Sequence, residues 1–494
     1  MNKLHSRIIS LSLLSALILS TFACGEQPTI DAETGGETTT TAPVETTDTK
    51  INWESSGLPE KDFGGREFTI LTDNVSNLLH SWQLIAPDEQ VGEALNDAMY
   101  NRNKKIEEIY NVTISSVYTT TLKDDANNSI SAGEDVYSAL FGRMDYTFTL
   151  AQEGKLMNYY DMPHINPDAE WWDETVVRDL SFRDSLYHLT GDISPATDSR
   201  VYTIVFNKDM CTELGLEMPY QYVLDGTWTL DRFNTYISDV NNDINGDGQM
   251  NYDDRWGFMS QDGCSWMMYM AGGGKVTEKN EQNEWVIAFD TERNIELAME
   301  SLKVASDKNK TLMANQYVTD HGGDWAAATA WFANGGSLFR SSVLEPIPRD
   351  LRTLEVNFGV VPFPKMDENQ TQYYTLAEET SKLICVPVTA DAEMAGLILE
   401  SLAVESVETV KPAFYDVVLN GKVVRDEESK EMLDIIFANK VFDIGLTVNL
   451  ASFKSMFTNL EKSGSTDIAS SFASSISSAE TALQKINDNL AGIQ

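Results

Sequence analysis

Basic residues, histidine and cysteine are all scarce. The 494-residue chain has 36 Lys and Arg against 76 Asp and Glu, with five His and four Cys. A formal charge of −40 repels nucleic acid and anionic membrane surfaces, so neither is an expected partner. His80, His164, His188 and His321 never form a His-Glu-x-x-His pair, which removes the usual zinc-protease helix. Cys211, Cys264 and Cys385 are widely spaced and odd in number, so neither a metal knuckle nor a disulfide framework follows. One bridge or three buried thiols are the alternatives. Gly-x-Ser-x-Gly is missing, because Phe339 stands where Gly335 and Ser337 would need a closing glycine. Gly272-Gly273-Gly274-Lys275 is followed by Val276, not by the hydroxyl residue of a phosphate loop. Paired carboxylates would suit a glycosidase, but with this many acids some pairing is certain and carries no signal.

Long apolar runs are absent too, save one. Lys3 and Arg7 precede an apolar stretch, Ile8 to Ala23, of about sixteen residues, short for a membrane-spanning helix. Thr21-Phe22-Ala23-Cys24 resembles the lipobox at which exported bacterial proteins are cleaved and acylated on cysteine. We therefore expect residues 1–23 to be a lipoprotein signal peptide, with Cys24 lipidated. Loss of that leader leaves 34 bases against 76 acids. Residues 24–57, rich in Thr and Glu and poor in large apolar side chains, cannot bury a core and read as a disordered tether. The expected location is the outer face of a cell membrane.

The body that follows is too long for one hydrophobic core, and two lobes are expected. Gly65 to Thr72 alternates as a strand, Asn96 to Tyr110 has helical spacing, and Val112 to Val117 is a second strand. That order favours a parallel pair with a crossover. Val136 to Phe141 is the next strand, and Met394 to Val404 and Ser465 to Ile493 read as helices. No internal repeat is visible.

The most informative stretch runs from Gly226 to Gly274. Thr229 can cap a helix whose apolar face is Leu230, Phe233, Tyr236, Ile237 and Val240. An oxygen ladder follows: Asp243, Asn245, Asp247, Gln249 through its backbone carbonyl, Asn251 and Asp254, with Gly248 at the sharp turn. This order suits a structural calcium ion or a plain connecting turn. Position 12 is Asp254 rather than the longer Glu, and Trp256-Gly257-Phe258 reads as a strand, unlike the second helix of a calcium sensor.

With Trp228-Thr229 opening a helix before this loop, the region resembles the extracellular solute-binding proteins of family 1, the carbohydrate receptors of ABC importers. Further patterns match in the same order: Leu58-Pro59-Glu60 with Phe63-Gly64-Gly65, Gly92 to Asn103, Trp171-Trp172-Asp173, Tyr187 to Asp192, Ile204 to Asp209, Asn357 to Lys365 and Val423 to Ser429. The resemblance implies an α/β, two-lobed, periplasmic-binding-protein-like fold of type II, its discontinuous lobes joined by hinge crossovers. Lobe one would take residues 58–190 and 382–428, and lobe two 195–380 and 430–494. It implies a monomer with no catalytic residues, capturing a small neutral glycan and passing it to ABC permease subunits. A secreted glycoside hydrolase and a calcium-clipped surface glycan-adhesion protein are the rival readings.

Sugars need aromatic faces for stacking and planar polar groups for directed hydrogen bonds. Arg143 and Asp145 follow a predicted strand, where ligands of open α/β sheets bind, and by the resemblance Asp145 is the first-lobe acid. Asp262 and Trp266 resemble the second-lobe loop with its stacking aromatic, and Arg340 falls where the family places another cleft loop. Trp82 and Trp172 complete the candidates. The plain alternatives are core packing for the three tryptophans, helix capping for Asp145 and an ion pair for Arg340.

Overall fold

The computed structural model describes residues 50–73, 80–323, 325–351, 354–417 and 427–493. The expected signal peptide, Cys24 and the motif Val423 to Asp426 lie outside these residues. The strands, in chain order, are β1 (Arg66–Asp73), β2 (Val112–Thr119), β3 (Ala139–Arg143), β4 (Tyr202–Asn207), β5 (Trp256–Ser260), β6 (Thr277–Lys279), β7 (Trp285–Ile287), β8 (Thr311–Met313), β9 (Ser337–Val343), β10 (Phe358–Val361), β11 (Thr375–Leu376), β12 (Lys382–Cys385) and β13 (Lys440–Val441).

They form two main sheets. The first has the order β12-β3-β1-β2. β1 pairs in parallel with β2, Arg66 opposite Val112, and with β3, while β12 is antiparallel to β3. The helix Ala94–Tyr110 makes the crossover from β1 to β2 and buries Leu95, Met99, Ile106 and Tyr110 at helical spacing. The second sheet has the order β10-β4-β9-β5-β8. Here β5 is parallel to β8 and β9, and β4 is antiparallel to β9 and β10. Helix Leu230–Val240 begins as expected: Thr229 accepts from the Arg232 amide, and Leu230, Phe233, Tyr236, Ile237 and Val240 are all buried.

Three chain segments run side by side between the sheets. Leu189 bridges Ile384 and Val201 bridges Ala377, both antiparallel, and β11 pairs in parallel with β13. The Glu378 amide donates to the Arg200 carbonyl at 2.9 Å, and the Ala377 amide to that of Val441 at 3.1 Å. These crossings form the hinge.

A further contact joins the halves outside the hinge. The β6–β7 hairpin, which links two helices covering the second sheet, lies on the segment 178–185 of the first half. Arg183 and Asn283 exchange hydrogen bonds, Arg183 pairs with Glu284 at 2.6 Å, and Lys279 Nζ donates to the Arg178 carbonyl and Ser181 Oγ. Beneath them Trp285 packs against Phe182 and Phe148, with ring centres 5.1 and 5.8 Å away. The long C-terminal helix, Ile468–Ala491, braces the hairpin from behind, Asn487 Nδ2 donating to the Trp285 carbonyl.

One expectation changes, and one open alternative is decided. Order begins before residue 58: Asn52 caps a short helix, Trp53–Ser56, and the Trp53 indole donates to Tyr110 Oη at 2.9 Å. A single large aromatic was enough to anchor that end of the expected tether. Cys211, Cys264 and Cys385 are all buried and unbridged, which selects the thiol alternative. Burial pushes the Cys211 thiol up to about 12, so it is unreactive.

Candidate functional site

Parallel pairing places Asp73, Thr119 and Arg143, the carboxyl ends of β1, β2 and β3, on one edge of the first sheet. In the second sheet the ends of β5, β8 and β9 share an edge with Tyr202, the start of the reversed β4. Open α/β sheets offer ligands these edges.

On the first edge Arg143 holds Asp145 through two parallel bonds of 3.0 and 2.7 Å, and its guanidinium lies 4.6 Å from the centre of the Tyr146 ring. All three are partly exposed. Asp145 stands in the first turn of helix Met144–Gln152, yet its carboxylate binds the Arg143 side chain rather than capping backbone amides. Asp73 Oδ2 accepts from the Arg143 amide at 2.9 Å, and burial raises the Asp73 carboxyl above its usual range.

On the second edge Asp262 pairs with Lys462 at 2.5 Å, and its amide donates to Asn315 Oδ1. Gly263 follows with φ of +87°, and a Cβ there would fall 2.1 Å from Trp266 Nε1, so only glycine lets the indole fold back. Trp266 is 6 % exposed and meets Tyr202 edge to face at 5.7 Å. Tyr202 Oη donates to Glu378, which with Thr380 and buried Glu345 surrounds Arg200.

The helix Phe453–Ser463 spans the two edges. Near its start Lys454 pairs at 2.5 Å with Glu379, whose carbonyl accepts from the Asp145 amide. Near its end Glu461 accepts from the Gly263 and Ser265 amides and Ser265 Oγ, while Lys462 holds Asp262. Lys462 stands eight positions after Lys454 along the helix, a rise of about 12 Å. Asn449, Ala451 and Ser452, just before this helix, have left-handed φ of 48°, 48° and 59°. Non-glycine residues in that region carry strain that clusters at working sites. Burial pushes the Glu461 carboxyl up to about 7, against the pull of its Ser265 and Gly263 bonds.

Arg143, Asp145, Asp262 and Trp266 thus lie on these two edges. The other candidates do not. Trp82 is 1 % exposed, edge-on to Phe414 at 5.2 Å, so no ring face is left for a ligand. Trp172 is buried, its indole donating to Glu400, and it lines a different cavity at the back of the hinge with Asp192 and Lys411. Arg340 sits in mid-strand opposite Val205 and Met259, buried against Thr329, with only about 10 Å³ of space beside it. Tyr146, Tyr202, Glu378, Glu379 and Lys454 were missed. Glu378-Glu379 is visible as a charged pair before a strand, but nothing in the sequence marks Lys454.

The loop of Asp243 and Asp254 turns on its own bonds. Asp243 accepts from the Gly246 and Gly248 amides, Asn245 from Asp247, Asp247 from Gln249, Asn251 from Asp253, and Asp254 from Ile244 and Asn251. The donors are the hard oxygens that calcium takes. Among the described residues, no three His, Cys, Asp or Glu side chains converge as a metal site does.

No family model matches this chain, and no curated protein does. Solved structures match over most of its length. A sugar transporter from Rhizobium etli in an open conformation is 12 % identical, with 87 % of this chain and 100 % of that one covered and a TM-score of 0.55. Apo RafE from Streptococcus pneumoniae gives 13 %, 87 %, 98 % and 0.53. An ABC substrate-binding protein from Listeria monocytogenes in complex with cycloalternan gives 15 %, 87 %, 98 % and 0.50. At such identities the shared property is the fold, and that fold is the two-lobed α/β type of the periplasmic binding proteins. That fold is the one implied by the resemblance to family 1 solute-binding proteins read from the order of motifs. No described helix is long and apolar enough to cross a membrane.

Proposed function

We propose that the protein is a non-enzymatic receptor that captures a neutral carbohydrate between its two sheet edges and delivers it to an ABC permease. The observation carrying this reading is that both carboxyl edges, each with a carboxylate next to an aromatic ring, are spanned by one helix from Lys454 to Lys462. Carboxylates and guanidinium groups give directed bonds to hydroxyls, and Tyr146 and Trp266 give apolar faces. The carbohydrate partners named for the structural neighbours support a glycan as the ligand class. A ligand touching both edges favours closure by its differential affinity for the closed state. Cys24 would anchor the chain by lipid at the outer membrane face, with the following residues as tether, and the lobes would divide as the family resemblance implies. Calcium at the Asp243–Asp254 loop is proposed on the order of its oxygen ligands.

A thermal-shift and calorimetric screen of neutral mono- and oligosaccharides tests this, with chromatography of the recovered sugar. A binding glycan returned intact is expected. A cleaved glycan would transfer the protein to the hydrolases, and silence from every glycan would leave an adhesion or scaffold role.

A further inference from the structure

Behind the hinge lies a cavity of about 260 Å³. A cavity of about 150 Å³ is enough to hold benzene, so there is room here for a ring carrying a short chain. Its walls come from both halves. Helix Val410–Val417, which contributes Lys411, Phe414 and Tyr415, packs on the crossover helix Ala94–Tyr110 of the first half. Helix Glu427–Ala438, which contributes Phe437, packs on β10 of the second sheet.

Charge in the lining is one-sided. Five carboxylates, those of Glu170, Asp173, Glu174, Asp192 and Asp198, stand against the ammonium groups of Lys411 and Lys440. Lys440 is buried and taken up between Asp173, at 2.8 Å, and Asp198. Lys411 meets Oδ2 of Asp192 at 3.1 Å, while Oδ1 has no partner among the described residues. Burial still pushes the Asp192 carboxyl up to about 6 against the pull of Lys411, as expected of a carboxylate short of positive charge. Glu170 and Glu174 are exposed, and neither forms an ion pair among the described residues.

Aromatic rings supply the apolar part. Phe437 packs against Phe414 and Tyr415 with ring centres 6.1 and 6.3 Å away, a wall already in place without a ligand. Trp171 is oriented by its indole, which donates to Glu400 at 3.0 Å, and both Trp171 and Tyr415 remain partly exposed. This lining repels an anion, and a neutral molecule leaves its carboxylates unmatched. A cation is attracted both by the acids and by the negative faces of the rings.

We propose that this cavity is a second binding site, for a small organic cation with an apolar body, its ammonium at Asp192 Oδ1 and its body against Tyr415 and Trp171. The site is separate from the sheet edges and stands or falls independently of the carbohydrate reading.

The test is calorimetry at physiological ionic strength, where long-range attraction to the acidic surface is screened. Phenethylammonium, phenethyl alcohol and hydrocinnamate present one apolar body with a cation, a hydroxyl and an anion. The ammonium should bind at one site per chain, at least tenfold tighter than the alcohol, with the carboxylate weaker still. Asp192→Asn should lower its affinity at least tenfold, and Tyr415→Leu and exposed Glu174→Gln at least twofold each. Glu60→Gln, at an exposed acid outside the cavity, should leave it unchanged. An alcohol that binds as well as the ammonium, a loss in Glu60→Gln equal to that in folded Glu174→Gln, or no ammonium binding by the parent protein would overturn the site.

Discussion

Two regions where the halves of this molecule come near each other are built differently. At the β6–β7 hairpin the halves meet through Trp285, Phe182 and Phe148, all almost fully buried, with backbone and charged bonds only at the rim. At the carboxyl edges the ion pairs Arg143–Asp145, Glu379–Lys454 and Asp262–Lys462 each lie within one half, with all six residues at least partly exposed, and the Asp145 amide reaches across to the Glu379 carbonyl at 3.3 Å. A buried aromatic contact is stabilised in proportion to the apolar area it removes from water, and it does not come apart cheaply. Partly exposed ion pairs contribute about 0–1 kcal/mol and exchange readily with water or with a ligand's hydroxyls. The difference separates a fixed joint from an adaptable surface.

The sharpest way to break that contrast is truncation on each side. Trp285→Ala should lower unfolding free energy by about 3–5 kcal/mol in a urea melt, the usual cost of emptying an aromatic site. Asp145→Ala should cost stability no more than about 1 kcal/mol, yet weaken any glycan the screen finds by about 1–3 kcal/mol in calorimetry. Equal stability losses for the two would mean that the edges are structural as well. Trp266 stands between these cases: being nearly buried against Tyr202, its removal should cost both stability and affinity.

A smaller effect concerns pH. The Glu461 carboxyl is raised from 4.5 to about 7 by burial. The folded chain therefore holds that proton over a range in which the unfolded chain has lost it, so this group's contribution falls as pH rises from about 4.5 to 7. Glu400, raised to about 7, and Asp192, raised to about 6, act in the same direction. Glu461→Gln removes the titrating proton, keeps one acceptor oxygen for the Ser265 amide at the cost of turning an NH2 toward the Gly263 amide, and should flatten part of this slope in thermal melts between pH 5 and 7.5. An unchanged slope would show that Glu461 titrates normally. The least effect is expected at the oxygen-rich loop. Chelator should lower the melting temperature by a few degrees at most, and Asp243→Ala with Asp247→Ala should abolish that response. A melting point that ignores chelator in the parent protein reduces the loop to a turn.

Much of this was legible in the residues alone. The capped helix after Thr229, the parallel β1–β2 pair and the resemblance in motif order all follow from local spacing, because a helix or strand shows its buried face as a period of 3.6 or 2. Arg143, Asp145 and Asp262 could be found because strand ends are visible in sequence. Trp82, Trp172 and Arg340 misled for one reason: residue type does not say whether a side chain faces a core or a cleft. Trp53 shows the same limit from the other direction, since only the partner that receives its indole distinguishes an anchor from a tether.

The sequence by itself determined an acidic chain long enough for more than one lobe, its alternating elements and the strand ends where chemistry could sit. Only the tertiary structure decided that residues as distant as Asp145, Glu379 and Lys454 would meet, and that a hairpin would lock the two halves together. Local periodicity is a property of neighbours in the chain. Cleft and joint depend on which faces pack together, and long-range packing alone sets that.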